Sequence, residues 1–165
     1  MIQKLKNEAS NAGTILWKKS VEKLFSSSTT VDSVKLENIF TEKITFTVKN
    51  EQGKRIEFLG GFYQCFIIYD AEKENVLEYL NNLKTYHPEI SDESYTFTDQ
   101  QMIEEKLNFI KSKFPDIYQE LGFFTTFRDE NTLEYYSINR YPYANILIFD
   151  KTNNKIYHFI ENYQD

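Results

Sequence analysis

The chain reads as a single α+β domain. The expected order is an N-terminal helix, antiparallel strands, central helices and a C-terminal three-strand meander, giving a mainly antiparallel sheet packed by helices. Three observations predict this. Apolar and polar residues alternate at period two in several short segments, the mark of half-buried strands. Between those segments lie longer stretches with apolar residues three and four apart, the mark of helices. The two kinds of segment come in runs and lack the strict β-α alternation of a doubly wound parallel sheet. A length of 165 residues suits one domain able to bury a core without staples.

Residues 3–25 open the series. Leu5, Ala9, Ala12, Leu16 and Leu24 form one helical stripe, joined by Trp17, Val21 and Phe25. Gly13 weakens the middle, and Asn11 leaves open a break near 10–13. "SSSTT" at 26–30 ends the helix as a polar linker too short to separate domains. An early strand is expected within 31–40 through Val34 and Leu36. The sharpest local pattern is a hairpin. Ile44, Phe46 and Val48 alternate with Lys43, Thr45, Thr47 and Lys49, "NEQG" follows, and Ile56 and Phe58 return against Arg55 and Glu57. Gly53 is expected at the left-handed position of its loop.

"GGFYQCFIIYD" at 60–70 predicts a central strand. Phe62, Gln64, Phe66 and Ile68 face one way, and Tyr63, Cys65, Ile67 and Tyr69 the other. Both faces are mainly apolar, so both are covered. Gly60 and Gly61 form the turn or bulge that admits it. A strand follows these glycines where a phosphate loop needs a helix, which argues against phosphate binding. Cys65 has apolar sequence neighbours, so it is expected to be a buried, inert thiol and not a nucleophile.

Asp70 is expected to cap a helix over 71–87 whose inner face is Val76, Leu77, Tyr79, Leu80 and Leu83, with Pro88 as its stop. Residues 89–97 read as an acidic loop. Thr98 and Gln101 form a capping box for a helix carrying Ile103, Leu107, Ile110 and Phe114. Pro115 starts a short helix that Gly122 ends. Strands are expected at 132–138, 144–149 and 155–163, the last two joined by "DKTNN".

Composition narrows the function. A lone Cys forms no internal disulfide, the N-terminus lacks a secretory h-region, and no apolar run approaches the roughly 20 residues of a membrane span. A soluble, cytoplasmic protein is expected. Residues 1–59 carry 10 Lys and Arg against 7 Asp and Glu, a net of +3, whereas residues 60–165 carry 9 against 18, a net of −9. Such an acidic part repels nucleic-acid phosphate and attracts a basic partner. Aromatic residues are 16% of the chain, with 14 Phe and 12 Tyr. That count exceeds the needs of an average core and places some Tyr at the surface, unless AT-rich coding accounts for it.

Catalytic and metal motifs are not evident. His87 and His158 are the only histidines and stand 71 residues apart, with no Cys pair and no calcium-loop pattern. His158 is expected to share a strand face with Ile156 and Ile160. No nucleophile elbow occurs, and the adjacent acids Glu104 and Glu105 diverge on a helix. No catalytic residue, metal ligand or cofactor is therefore assigned, and a non-enzyme is favoured while the enzyme question stays open.

The most suggestive stretch is "RDENTLEYYSINRYPY" at 128–143. Asp129, Glu130 and Glu134 steer, and Tyr136, Tyr141 and Tyr143 anchor, in a surface for a basic protein partner. Plain sheet packing is the competing account of the same tyrosines. The small, acidic, aromatic-rich profile resembles that of bacterial immunity, antitoxin and phage-encoded inhibitor proteins, a class-level likeness that no specific residues carry. The leading expectation is a protein-binding inhibitor or immunity module that occludes a basic partner such as a toxin or nuclease, one to one, without contact to nucleic acid or membrane. The alternative is a small-molecule binder or small enzyme with a pocket between sheet and helices that uses tyrosines and His158. A homo-oligomer subunit is a third reading.

Overall fold

The computed structural model describes residues 30–58, 61–84, 94–96, 101–126 and 132–162. The helix expected over 3–25, His87, the Thr98 cap, Asp129 and Glu130 lie outside the described residues.

The elements are β1 (Thr30–Ser33), a 3-10 turn (Leu36–Asn38), β2 (Lys49–Glu57), β3 (Tyr63–Asp70), α1 (Lys73–Asn81), β4 (Ser94–Thr96), α2 (Gln101–Lys113), α3 (Pro115–Glu120), β5 (Leu133–Arg140), β6 (Tyr143–Asp150) and β7 (Lys155–Asn162). The strands form one sheet in the order β1-β2-β3-β7-β6-β5-β4. Every neighbouring pair is antiparallel. β5 pairs with β6 and β6 with β7, while β7 inserts beside β3 and joins the two halves. An antiparallel sheet with helices makes the fold α+β.

Period two sorts the strand residues onto two faces. Cys65, Ile67, Tyr69, Leu147, Ile156 and Ile160 face one way and pack with Val76, Tyr79, Leu80 and Leu83 of and beyond α1. Phe66, Ile68, Ile146, Ile148, Tyr157 and Phe159 face the other and pack with Ile103, Leu107 and Ile110 of α2 and with Leu121 and Phe124. β3 is buried on both sides, as its doubly apolar sequence requires. No described helix is long and apolar enough to cross a membrane.

The hairpin expected at 44–58 does not form. Residues 43–48 are outside any strand, and β2 begins at Lys49 and runs straight through Gly53. The alternation at Ile44, Phe46 and Val48 is real, since all three are half-buried against the α1-side core while their neighbours are exposed. The segment lies extended across the sheet face and makes no ladder. Gly53 has no left-handed backbone; Asn50, at φ 50, takes that conformation beside a register shift between Lys49 and Gln52. Gly53 is needed for room, because a Cβ there would stand 2.5 Å from the Val34 carbonyl oxygen.

Other boundaries also shift. The early strand is Thr30–Ser33, and Leu36 opens the 3-10 turn. Asp70 ends β3 and binds Asn50 and Lys155, so the α1 cap position falls to Glu72, without a side-chain cap bond. Part of the expected acidic loop, Ser94–Thr96, pairs with β5 as an edge strand.

Candidate functional site

α1 lies along β5 in the same direction. At its first residue, Lys73 Nζ reaches Glu134 Oε2 at 2.7 Å. At its last, Asn81 accepts from Arg140, with Nε 3.3 Å from the backbone oxygen. The helix forms where it does because Val76, Tyr79 and Leu80 bury one stripe, leaving Glu74, Asn75, Glu78 and Asn82 in solvent.

The expected partner-binding residues distribute along this frame. Glu134 and Tyr136 sit at the Lys73 end of β5. Lys151 Nζ is 3.1 Å from Glu134 Oε1, and the Tyr136 hydroxyl donates to Oε2 at 3.3 Å. Hydrogen bonds from Lys73 and then Lys151 pull the Glu134 carboxyl down to about 2. The Tyr136 ring stands edge-on to Phe149 and carries Lys73 over its face at 5.8 Å. Tyr141 is at the other end, in the β5–β6 turn, half-buried and followed by a cis bond to Pro142. Seven residues of strand separate Glu134 from Tyr141, about 23 Å at 3.3 Å per residue. Tyr143 is interior at 4% exposure; its hydroxyl donates to the Ile39 carbonyl at 3.1 Å and its ring meets Phe40. Two ends of one strand thus hold what adjacency in sequence grouped together, and Tyr143 serves the core.

Two clefts flank the loop that follows the 3-10 turn. One, of about 290 Å³, is lined by Thr45, Phe46, Asn75, Glu78, Tyr79 and Asn82. The other, of about 400 Å³, is lined by residues 37–44 except Ile39 and carries Glu37, Glu42 and Lys43 on its walls. Loop and helix are joined by the Tyr79 hydroxyl, which donates to the Glu42 carbonyl at 2.9 Å, and by Lys84 N, which donates to Glu42 Oε1 at 2.7 Å. Sequence reading gave the inner face of this helix but missed its outer one. The (i, i+4) spacing of Glu74 and Glu78 was the available signal.

Polar side chains inside the fold are bound to one another. His158 is 1% exposed, on the face of Ile156 and Ile160. Its Nδ1 lies 3.1 Å from the Tyr69 hydroxyl and its Nε2 3.0 Å from Asn145 Oδ1. Asn145 Nδ2 donates to the Ile138 carbonyl at 3.1 Å, which orients the amide. The direction of the chain follows: Nε2 carries the hydrogen, Nδ1 accepts from Tyr69, and the ring is neutral. Burial pushes the imidazole down to about 3 and the Tyr69 hydroxyl well above its usual value. On the opposite face, Glu161 is bound by Gln64 and Lys106, and Lys106 lies over Phe159. Arg55 Nε is the one buried side-chain polar atom among the described residues without a partner.

Cys65 is fully buried and burial pushes its thiol up to about 12, the reverse of an activated nucleophile. Among the described residues, no group of three or more His, Cys, Asp and Glu is placed to hold a metal ion. No family model matches the chain, and no curated protein or solved structure matches it either.

Proposed function

We propose that the protein is a non-catalytic binding module of inhibitor or immunity type that covers a basic partner protein stoichiometrically. The observation that supports this reading is the course of α1 along β5. It puts the exposed carboxylates Glu74 and Glu78 on a helix whose first residue meets Glu134 and whose last meets Arg140, the residue before Tyr141. Glu37 and Glu42 stand on the neighbouring loop. Acids on a rigid helix steer a cationic surface, and half-buried tyrosines at the ends supply apolar contact. Glu134 is a weaker steering group than its neighbours, because Lys73 and Lys151 already neutralise it.

The small-molecule alternative draws less support from His158, whose two ring nitrogens are both engaged inside the core. A ligand would instead take the cleft between Phe46 and Tyr79.

The test is capture from the native host with a C-terminally tagged chain, eluted at low and then high salt and identified by mass spectrometry. One stoichiometric basic partner, released by salt and lost in the Glu74→Lys/Glu78→Lys variant at unchanged stability, is the expected result. A partner held equally by that variant moves the interface elsewhere. Absence of any stoichiometric partner removes the inhibitor reading.

A further inference from the structure

Residues 36–48 form a cover over the α1-side core. Leu36, Ile39 and Phe40 are buried, and Ile44, Phe46 and Val48 are half-buried against the same cluster. The cover's two aromatic rings sit on two members of the internal polar chain. Phe40 stacks on His158, with centroids 6.3 Å apart and planes 30° apart. Phe46 stacks on Tyr69 at 6.5 Å and 26°. Apart from packing, the bonds that fasten the cover among the described residues are Leu36 N to Glu51 Oε1, the Tyr143 hydroxyl to Ile39, the Tyr79 hydroxyl to Glu42, and Lys84 N to Glu42. β6 and β7 below it are instead paired along their whole length on both sides, and β3 is paired throughout with β7 and, apart from the irregularity beside Tyr69, with β2. The cover is therefore the cheapest part of this layer to open.

We infer that Tyr69, His158 and Asn145 form an acid-operated latch: a proton arriving on His158 Nδ1 releases the 36–48 cover from a sheet that stays folded. In the closed state Nδ1 is the acceptor of the Tyr69 hydroxyl, so a proton there forces the hydroxyl to turn and accept, and the Tyr69 hydrogen loses its acceptor in the core. Among the described residues no carboxylate acts on the ring to offset the new charge. β3 contributes the un-ionised groups Tyr69 and Cys65, β6 contributes Asn145 and Tyr143, α1 contributes Tyr79, and the cover itself presents Phe40 and Ile39. β5 contributes the Ile138 carbonyl through Asn145. The one carboxylate coupled to the chain is Glu51 of β2, which acts on Tyr69 and whose Oε1 already accepts the Leu36 N–H. Lifting Phe40 admits water to the imidazolium, and water is what a buried charge lacks. The depressed titration of the closed ring agrees with this geometry. The inference is independent of the partner reading.

Amide hydrogen exchange of the full chain at pH 7, 6 and 5, corrected for intrinsic rates, tests it. The open state protonates near the ordinary imidazole value of 6.5 and the closed state does not. Opening of the cover, read at Asn38 and Ile39, should therefore rise about 25-fold between pH 7 and 5. Amides of β3, β6 and β7 should keep their protection over that range. His158→Gln, which has no proton to take up, should abolish the pH dependence of the cover. If that variant does not fold, the ring nitrogens of the wild-type protein are followed by NMR, where the closed form should remain the Nε2–H tautomer at pH 5. Cover exchange that ignores pH, strands that lose protection together with the cover, or an imidazolium formed under a closed cover would each overturn the latch.

Discussion

Replacing Gly53 by Ala tests the part of the fold that departs furthest from its local sequence. In an ordinary strand this change stabilises by about 0.5–1 kcal/mol, because the unfolded chain loses freedom. Here the new Cβ would lie 2.5 Å from the Val34 carbonyl oxygen and 3.2 Å from Ile67 Cγ1. Ordinary C···O contacts are about 3.3 Å or more, so the Val34 segment must retreat by about 0.8 Å. That retreat endangers the bond from Val34 N to the Gly53 carbonyl, 3.1 Å long and worth about 1 kcal/mol. Overpacking against Ile67 adds about 1–3 kcal/mol. After the entropic gain is subtracted, the net loss is about 2 kcal/mol. Urea denaturation should show the midpoint falling by about 1 M. Gly122→Ala is the control: its site is exposed and the nearest contact, 3.2 Å to the Gln119 carbonyl, relaxes with a small movement, so its midpoint should hardly change. Gly53→Asn separates the structure from the hairpin reading, since a left-handed turn tolerates Asn and the crowded strand should lose more with Asn than with Ala. A Gly53→Ala midpoint equal to or above that of the wild type, or an Asn variant better than the Ala variant, would refute the close approach of Val34.

Three further outcomes follow from single contacts. Cys65→Ser puts a hydroxyl among apolar neighbours at 0% exposure and should cost about 1–3 kcal/mol in urea while leaving partner binding per folded molecule unchanged; a folded variant that no longer binds would give the sulfur a role in function. Tyr143→Phe removes the bond to the Ile39 carbonyl and should cost about 1 kcal/mol, and an unchanged midpoint would mean that bond contributes nothing net. Glu134 has its folded-state value lowered from 4.5 to about 2, so its contribution is present above 4.5 and is lost as pH falls through 2. Its partners are part-exposed and solvent screens them, so Glu134→Gln should lower stability at pH 7 by no more than about 1 kcal/mol, with the difference from wild type vanishing near pH 2.

The strands that form the centre of the sheet were legible residue by residue. Period two assigned Cys65, Ile67 and Tyr69 to one side of β3 and Phe66 and Ile68 to the other, and it placed His158 with Ile156 and Ile160. The burial of Cys65 was legible for the same reason, since apolar neighbours on both faces leave a thiol no exposed direction. The α2–α3 pair was legible from its apolar spacing, and so was α1, although it ends at Asn81, six residues before the expected 87, and leaves Leu83 outside the helix.

Alternation reports which side of an extended segment is wet, and it cannot report what the dry side touches. Ile44, Phe46 and Val48 satisfy the pattern of a strand while lying across the sheet, because long-range packing against Tyr69 and Tyr79 supplied what a ladder would have. Gly53 had the composition of a turn, and only the approach of Val34, just past the end of the neighbouring β1, made room its purpose. The candidate face was hidden for a related reason. The helix that carries Glu74 and Glu78 meets Glu134 and Arg140 only because α1 docks along β5, a contact between segments some sixty residues apart in the chain. Local composition thus determined the elements and their buried faces. The order of the strands, the cover and the neighbours of each exposed carboxylate were decided by tertiary packing, because the interactions that choose among them connect residues that no local window contains together.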